Sequence, residues 1–275
     1  MAITAADVMK LRKATGAGMM DCKNALADAD GDFNRAVEII REKGKLVASK
    51  RSDREASEGA VLAKVSDDNK FGAIVVLNCE TDFVAKNEGF VALTQKFLDL
   101  AVGEKPADLD ALKALTLDGR TIADHVTEQT GVIGEKIDLS YYAKVEAASV
   151  VGYIHPGNKL ATLVGFNQDN VDVQVGKDVA MQVAAMNPVA VDKDFVPQEV
   201  VEKELEIAKE KFRQEGKPEA MLDKIAQGAL AKFFKESTLL NQAFVKDNKV
   251  SVKEYLGSCS KDLTATAFVR FALSE

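Results

Sequence analysis

The sequence predicts an α+β protein of several domains, and three observations support this class. The first 45 residues contain three short segments with apolar residues at helical spacing. Two later segments, 59–80 and 148–169, align without a gap, and both have the pattern strand, turn, strand. Two helical segments within 197–236 are separated by a short break that contains Gly and Pro, which is typical of an antiparallel helical hairpin.

Residues 1–45 predict a compact three-helix unit, and residues 46–58 are polar and charged, which favours a linker. Thr4 opens the first helix with a capping pattern, and we expect the third helix to end at Gly44. Such a small bundle buries little apolar surface, so we expect it to work by docking to another molecule.

The pair Met19-Met20 opens the second helix of this unit, directly after a glycine-rich turn. Adjacent side chains on a helix point about 100° apart, so the two methionines cannot both face the bundle core well. They belong either to the core or to a docking surface, and the spacing leaves both alternatives open.

The internal repeat has an offset of 89 residues, which places Val61 on Val150 and Asn69 on Asn158. Each copy leads into a helix, and a further strand closes each half. We therefore predict two related halves, each an antiparallel sheet with helices against one face. The halves comprise residues 59–146 and 147–275, and the second contains the hairpin 197–236.

Thr81-Asp82-Phe83-Val84 stands where a buried strand of the first half turns into a helix. Thr81 or Asp82 can cap that helix by accepting hydrogen bonds from its first N–H groups. Phe83 has two interpretations. It is either buried in the core beside the cap, or it is an exposed probe that enters a partner.

Composition and motifs argue against nucleic-acid binding, catalysis and metal binding. The net charge of −7 lacks the basic footprint of a nucleic-acid binder, so the expected partner is a protein or a small molecule. We expect His125 on a helix surface and His155 in a solvated turn, and we find no phosphate loop or metal-ligand spacing. These features favour a binding protein without catalytic residues, metal or cofactor.

The location of the protein follows from similar arguments. Cys22, Cys79 and Cys259 are far apart and odd in number, so we expect small buried thiols in a reducing cytoplasm. The N-terminus does not have the pattern of a signal peptide. No apolar run reaches the length of about 18 residues that spans a membrane, so we expect a cytoplasmic protein without membrane contact.

Two longer motifs carry a resemblance to a known family. Residues 11–26, LRKATGAGMMDCKNAL, and residues 78–85, NCETDFVA, closely resemble two signatures of the bacterial elongation factor Ts family. The match covers the whole chain in the family's order. It continues through Tyr153-Ile154-His155, Glu215-Gly216-Lys217-Pro218 and Phe268-Val269-Arg270-Phe271.

The resemblance implies a guanine-nucleotide exchange factor, not an enzyme, that acts on the GTPase elongation factor Tu. The partner would be bound in its GDP-bound and nucleotide-free forms. The three-helix unit would be a ubiquitin-associated-like domain, and the resemblance leaves open a homodimer or a 2:2 complex through the core or the hairpin. The rival hypothesis is an adaptor whose bundle binds a helical or ubiquitin-like partner without exchange activity.

The resemblance also assigns contact positions. Arg12, Met19 and Met20 match docking residues of the family. Asp82 and Phe83 match a pair that enters beside the magnesium site of the GTPase and displaces the ion, with Thr81 and Val84 flanking them. His155 matches a further contact from the second half.

Overall fold

The computed structural model describes residues 3–273, and their mixture of helices and small antiparallel sheets confirms the predicted α+β class. The chain begins with α1 (Ala5–Thr15), α2 (Met19–Asp28) and α3 (Phe33–Lys50). Thr4 and Asp7 form the predicted capping box of α1. The three helices enclose their own small core, to which α1 contributes Leu11 and α2 contributes Leu26.

The first half is built on a three-stranded antiparallel sheet. Its elements are β1 (Glu58–Val65), β2 (Phe71–Cys79), α4 (Asp82–Ala85), α5 (Glu88–Glu104), α6 (Leu109–Ala114), β3 (Thr116–Leu117), β4 (Arg120–Thr121), α7 (Ile122–Ile133) and β5 (Asp138–Glu146). The strand order is β1-β2-β5, while β3 and β4 form a separate short ribbon.

The second half repeats this plan with a long insertion. Its elements are β6 (Ser149–Ile154), β7 (Leu160–Phe166), α8 (Val173–Met186), a 3₁₀ turn (Lys193–Phe195), α9 (Gln198–Gln214), α10 (Glu219–Ser237), β8 (Ala243–Phe244), β9 (Asp247–Ser251), α11 (Val252–Cys259) and β10 (Ala265–Ala272). The sheet order is β6-β7-β10. α9 and α10 lie against each other, and the exposed ion pair Lys209–Asp223 joins them.

The two halves are joined face to face. One face of each sheet meets the other sheet, with Ile74 and Val76 of β2 packing in the same buried cluster as Leu163 of β7. The opposite face of β2 turns toward helices, since Val75 and Leu77 belong to the cluster that contains α5. The period-2 alternation of side chains along a strand therefore divides β2 between two cores.

Reciprocal hydrogen bonds follow the 89-residue offset. Val61 N–H donates to the Asn158 carbonyl at 2.8 Å, and Val150 N–H donates to the Asn69 carbonyl at 2.6 Å. Residues equivalent in the repeat thus exchange roles, as across a two-fold axis. Asn69 and Asn158 have φ of 55° and 57°, values that the tight turns require and that asparagine tolerates.

The third helix does not end where the sequence predicts. α3 continues through Gly44 to Lys50, because Gly44 serves as a packing contact and not as a C-cap. A Cβ atom on Gly131 of α7 would lie 2.3 Å from the Cα atom of Gly44. The two helices cross at these glycines, so only residues 51–57 separate α3 from β1.

Three smaller expectations also fail. His125 is buried rather than on a helix surface, and its Nε2 lies 2.8 Å from the Leu117 carbonyl oxygen. Cys22 and Cys79 are buried as expected, but Cys259 is exposed. The helix expected directly after the Thr81 corner is divided into α4 and α5, because the Asn87 side chain accepts hydrogen bonds from the Gly89 and Phe90 N–H groups.

Within the described residues, no helix combines the length and the apolar composition needed to cross a bilayer.

Candidate functional site

The candidate site is the corner at which β2 ends and the four-residue helix α4 begins. Thr81, not Asp82, is the N-cap, and its hydroxyl accepts a hydrogen bond from Val84 N–H at 3.4 Å. Val84 packs against the core of the first half, and Ala85 is buried. The corner is therefore attached to the core through its third and fourth helical residues.

Phe83 lies on the opposite side of this short helix, and 83% of its surface is exposed. The interpretation of Phe83 as a core residue is therefore wrong. Burying a Phe side chain adds about 1.5–3 kcal/mol to the stability of the folded state. The exposed Phe83 side chain contributes almost nothing of this kind. An exposed aromatic ring on a fixed corner is available for contact with another molecule.

Asp82 is next to Phe83 and carries an ion pair. Its carboxylate accepts a hydrogen bond from Lys86 Nζ at 2.6 Å. This bond, together with the positive charges of Lys86 and Lys159, lowers the pKa of Asp82. Asp82 is consequently ionised at neutral pH.

The turn that contains His155 approaches the same corner. Lys159 at its end acts on Asp82 by its charge and also pairs with Glu58 Oε2 at 2.9 Å. His155 itself is exposed, and its Nδ1 lies 2.9 Å from the Tyr153 hydroxyl. The structure therefore brings a turn of the second half beside the corner of the first half.

Arg12, Met19 and Met20 lie on the N-terminal unit. All three are exposed, Met19 by 40% and Met20 by 64%, so the alternative that places the methionines in the bundle core is wrong. The turn between Arg12 and Met19 faces α7, because a Cβ atom on Gly16 would meet the Val132 side chain at 3.6 Å. The C-terminal end of α7 therefore approaches this turn, and Glu135, two residues beyond α7, bonds to the corner.

Sequence reasoning missed the residues that hold the corner in place. Glu135, directly after α7, accepts hydrogen bonds from Glu80 N–H at 3.1 Å and from Thr81 N–H at 3.0 Å. Arg51 pairs with Glu80 Oε1 at 2.7 Å, and Lys136 Nζ donates to two carbonyl groups of the segment that follows α3. The partners are 29 to 84 residues apart in sequence, so no local motif could have indicated them.

The corner has neither a reactive thiol nor, among the described residues, a cluster of metal-binding side chains. Cys79 is buried beneath it and donates to the Thr81 carbonyl, and burial raises its pKa to about 12, so the thiol stays protonated at neutral pH. Between residues 3 and 273, no group of three or more His, Cys, Asp or Glu side chains is placed to hold a metal ion. Fold and site together define an α+β scaffold that presents an exposed aromatic side chain at a fixed corner.

Comparison with known proteins gives the family. The sequence model described as "Elongation factor TS" matches residues 80–275. The chain is 56% identical to the elongation factor Ts of Porphyromonas gingivalis strain ATCC 33277, covering 100% of this chain and 99% of that protein. It is 53% identical to the elongation factor Ts of Azobacteroides pseudotrichonymphae over 100% of this chain and 99% of the relative, and 53% identical to that of Christiangramia forsetii over 98% of each. The chain belongs to the elongation factor Ts family.

Proposed function

We propose that this protein is a guanine-nucleotide exchange factor for elongation factor Tu and that it acts in the cytoplasm during translation elongation. Membership of the family supports the partner and the activity. The observation that carries the mechanism is Phe83, an aromatic side chain that is 83% exposed on a corner fixed by Glu135. The exchange factor contributes no catalytic group, metal or cofactor, and it does not contact nucleic acid directly.

In this mechanism the corner enters beside the magnesium site of the GTPase. Asp82 and Phe83 contact the partner only when that site is distorted, so they stabilise the state from which Mg²⁺ and GDP leave. The magnesium ion belongs to the GTPase, where it offsets the charge of the diphosphate. By linkage, GDP must weaken the complex of the two proteins by the factor with which the complex weakens GDP binding.

Docking is assigned to the other exposed residues. The N-terminal unit, as a ubiquitin-associated-like domain, places Arg12, Met19 and Met20 on the nucleotide-binding domain of the GTPase, and His155 adds a contact from the second half. The exposure of all four side chains supports this assignment. Helices α9 and α10 form an antiparallel hairpin that extends the second half, and a homodimer or 2:2 complex would use the hairpin or the core.

The test is stopped-flow measurement of labelled GDP leaving elongation factor Tu with wild-type protein and with Phe83→Ala. We expect catalysed release to slow at least tenfold, which corresponds to about 1.4 kcal/mol of lost coupling. Phe195→Ala is the matched control, because Phe195 is 69% exposed on the 3₁₀ turn of the second half. This control variant should accelerate GDP release as much as the wild-type protein does.

Two results would contradict the proposal. If the wild-type protein does not accelerate GDP release, the chain is an adaptor without exchange activity. If Phe83→Ala and Phe195→Ala are equally active, the exposed ring at the corner does not carry the exchange reaction.

A further inference from the structure

Helix α4 is too short to fix the direction of Phe83 by itself. Isolated helices shorter than about 12–15 residues are marginal in water, and α4 has 4 residues. The Phe83 ring makes little contact with the rest of the chain, since it is 83% exposed. The direction of the ring is therefore set by what holds the backbone of the helix, which is the packing of Val84 and Ala85 at its end and the groups bound to Thr81 at its start.

Glu135 holds that backbone with both carboxylate oxygens. Oε2 accepts from Glu80 N–H at 3.1 Å and from Thr81 N–H at 3.0 Å, while Oε1 accepts from the Thr81 hydroxyl at 2.7 Å. The hydroxyl has a single proton, and it is donated to Glu135, so its lone pairs are left to accept from Val84 N–H. One carboxylate thus fixes two backbone amides and the orientation of the cap.

Hydrogen bonds run in both directions between the segment of Glu80 and the segment of Glu135. Glu80 Oε1 accepts from Lys136 N–H at 2.6 Å and from Arg51 Nη1 at 2.7 Å, and the hydrogen bond from Lys136 is the largest cause of the lowered pKa of Glu80. Gly134, with φ of 79°, ends α7 in the left-handed conformation and turns the chain toward the corner. Glu135 therefore holds the Glu80 and Thr81 amides, Glu80 holds the amide of Lys136 next to Glu135, and hydrogen bonds to charged groups are stronger than those between neutral groups.

We propose that Glu135 is a positioning residue of the exchange reaction, which fixes the Thr81 corner and so aims Phe83 at the GTPase. This inference rests on the proposed function and adds to it a residue outside the contact surface. Glu135 does not have to touch the partner, and it acts through Thr81. Its loss should therefore affect the exchange step more than the docking of the two proteins.

The experiment compares Glu135→Ala, Glu135→Gln and Asp99→Ala with the wild type in the labelled-GDP assay. Asp99 is the control, because it is also a carboxylate of the first half with two side-chain hydrogen bonds, from Lys64 and Gln95, away from the corner. For Glu135→Ala we expect a maximal exchange rate at least fivefold lower, about 1 kcal/mol, at a nearly unchanged half-saturating concentration. Glu135→Gln keeps one acceptor oxygen. Its maximal exchange rate should lie between those of Glu135→Ala and the wild type, at least twofold below the wild type.

Amide hydrogen exchange provides a readout that does not depend on the GTPase. In Glu135→Ala the amides of Glu80 and Thr81 should exchange at least tenfold faster, because they lose their acceptor. Asp99→Ala should leave both amides protected. If Glu135→Ala fails to fold, Glu135→Gln gives both measurements.

A double-mutant cycle separates this inference from the proposed function. If Glu135 acts by aiming Phe83, Glu135→Ala should slow exchange less than twofold further in a Phe83→Ala background. An equal, independent loss in that background would overturn the positioning role, as would a Glu135→Ala protein with a normal maximal rate. If Phe83→Ala itself exchanges normally, the proposed function fails first.

Discussion

Phe83 and Phe90 lie seven residues apart in sequence and have opposite environments. Phe83 is 83% exposed, whereas Phe90 on the first turn of α5 is 4% exposed and belongs to the core of the first half. The same side chain therefore contributes to stability at one position and is available to a partner at the other.

This contrast gives a prediction on the free energy of unfolding. Phe90→Ala should lose about 3–5 kcal/mol, because it removes buried contacts and leaves a cavity. Phe83→Ala should change the free energy of unfolding by less than about 0.5 kcal/mol, as is usual for an exposed position. Denaturant unfolding of both variants measures the difference, and an equally large loss in Phe83→Ala would show that the ring is buried in solution.

The residues at the corner show what the sequence can and cannot predict at this scale. Thr81 was one of two predicted caps because capping is local, and the pattern of Thr81 before an apolar helix is sufficient for it. The exposure of Phe83 remained open, since it depends on which face of a four-residue helix meets the core. Glu135 was missed entirely, because its partners lie 54 and 55 residues away.

At the scale of elements, the strands of both sheets agree with the sequence closely. β2 begins at Phe71 and β7 spans Leu160–Phe166, so both lie within the segments 59–80 and 148–169, for which the sequence predicts strand, turn, strand. The predicted end of α3 at Gly44 was wrong, because a glycine near the end of a helical pattern resembles a C-cap. Its actual role is a close contact with Gly131, a partner on another helix that no local pattern identifies.

The crossing of α3 and α7 gives a second prediction, in which two glycines serve as a matched pair. A Cβ atom on Gly131 would lie 2.3 Å from Gly44 Cα, whereas a Cβ atom on Gly44 would meet nothing closer than Gly131 Cα at 3.7 Å. Gly131→Ala should force the helices apart and lower the free energy of unfolding by about 1–3 kcal/mol. Gly44→Ala should be neutral or up to about 1 kcal/mol stabilising, because alanine favours the helix.

Thermal or denaturant unfolding of the two variants checks this prediction, with proteolysis of residues 51–57 as a second measure. Separation of α3 from α7 in Gly131→Ala should make that segment more accessible to protease. If both variants have the stability of the wild type, α3 and α7 do not cross closely in solution.

At the scale of the whole molecule, the N-terminal unit is attached to the rest by contacts as well as by the chain. α3 packs on α7, and Arg51 at its end pairs with Glu80 beside the corner. A cut after residue 45, where the sequence predicted the boundary, would divide α3. A cut after Lys50 keeps the Arg51 pair and removes all three helices.

Deletion of residues 1–50 should therefore leave a folded protein that binds elongation factor Tu at least tenfold more weakly, a loss of about 1.4 kcal/mol. The reason is the loss of the surface that carries Arg12, Met19 and Met20, while both sheets keep their contacts. Isothermal calorimetry with the GTPase measures the affinity, and circular dichroism checks the fold. An unchanged affinity would remove the docking role of these three residues.

During synthesis, the bonds between Val61 and Asn158 and between Val150 and Asn69 can form only after the start of the second half has been translated. The first half leaves the ribosome with the Ile74 face of its sheet uncovered, because the strands that bury this face are encoded later in the chain. Domains form from the N-terminus as they emerge, and an uncovered apolar sheet is prone to aggregation. The nascent first half thus exposes an aggregation-prone apolar face until β6 and β7 have been translated.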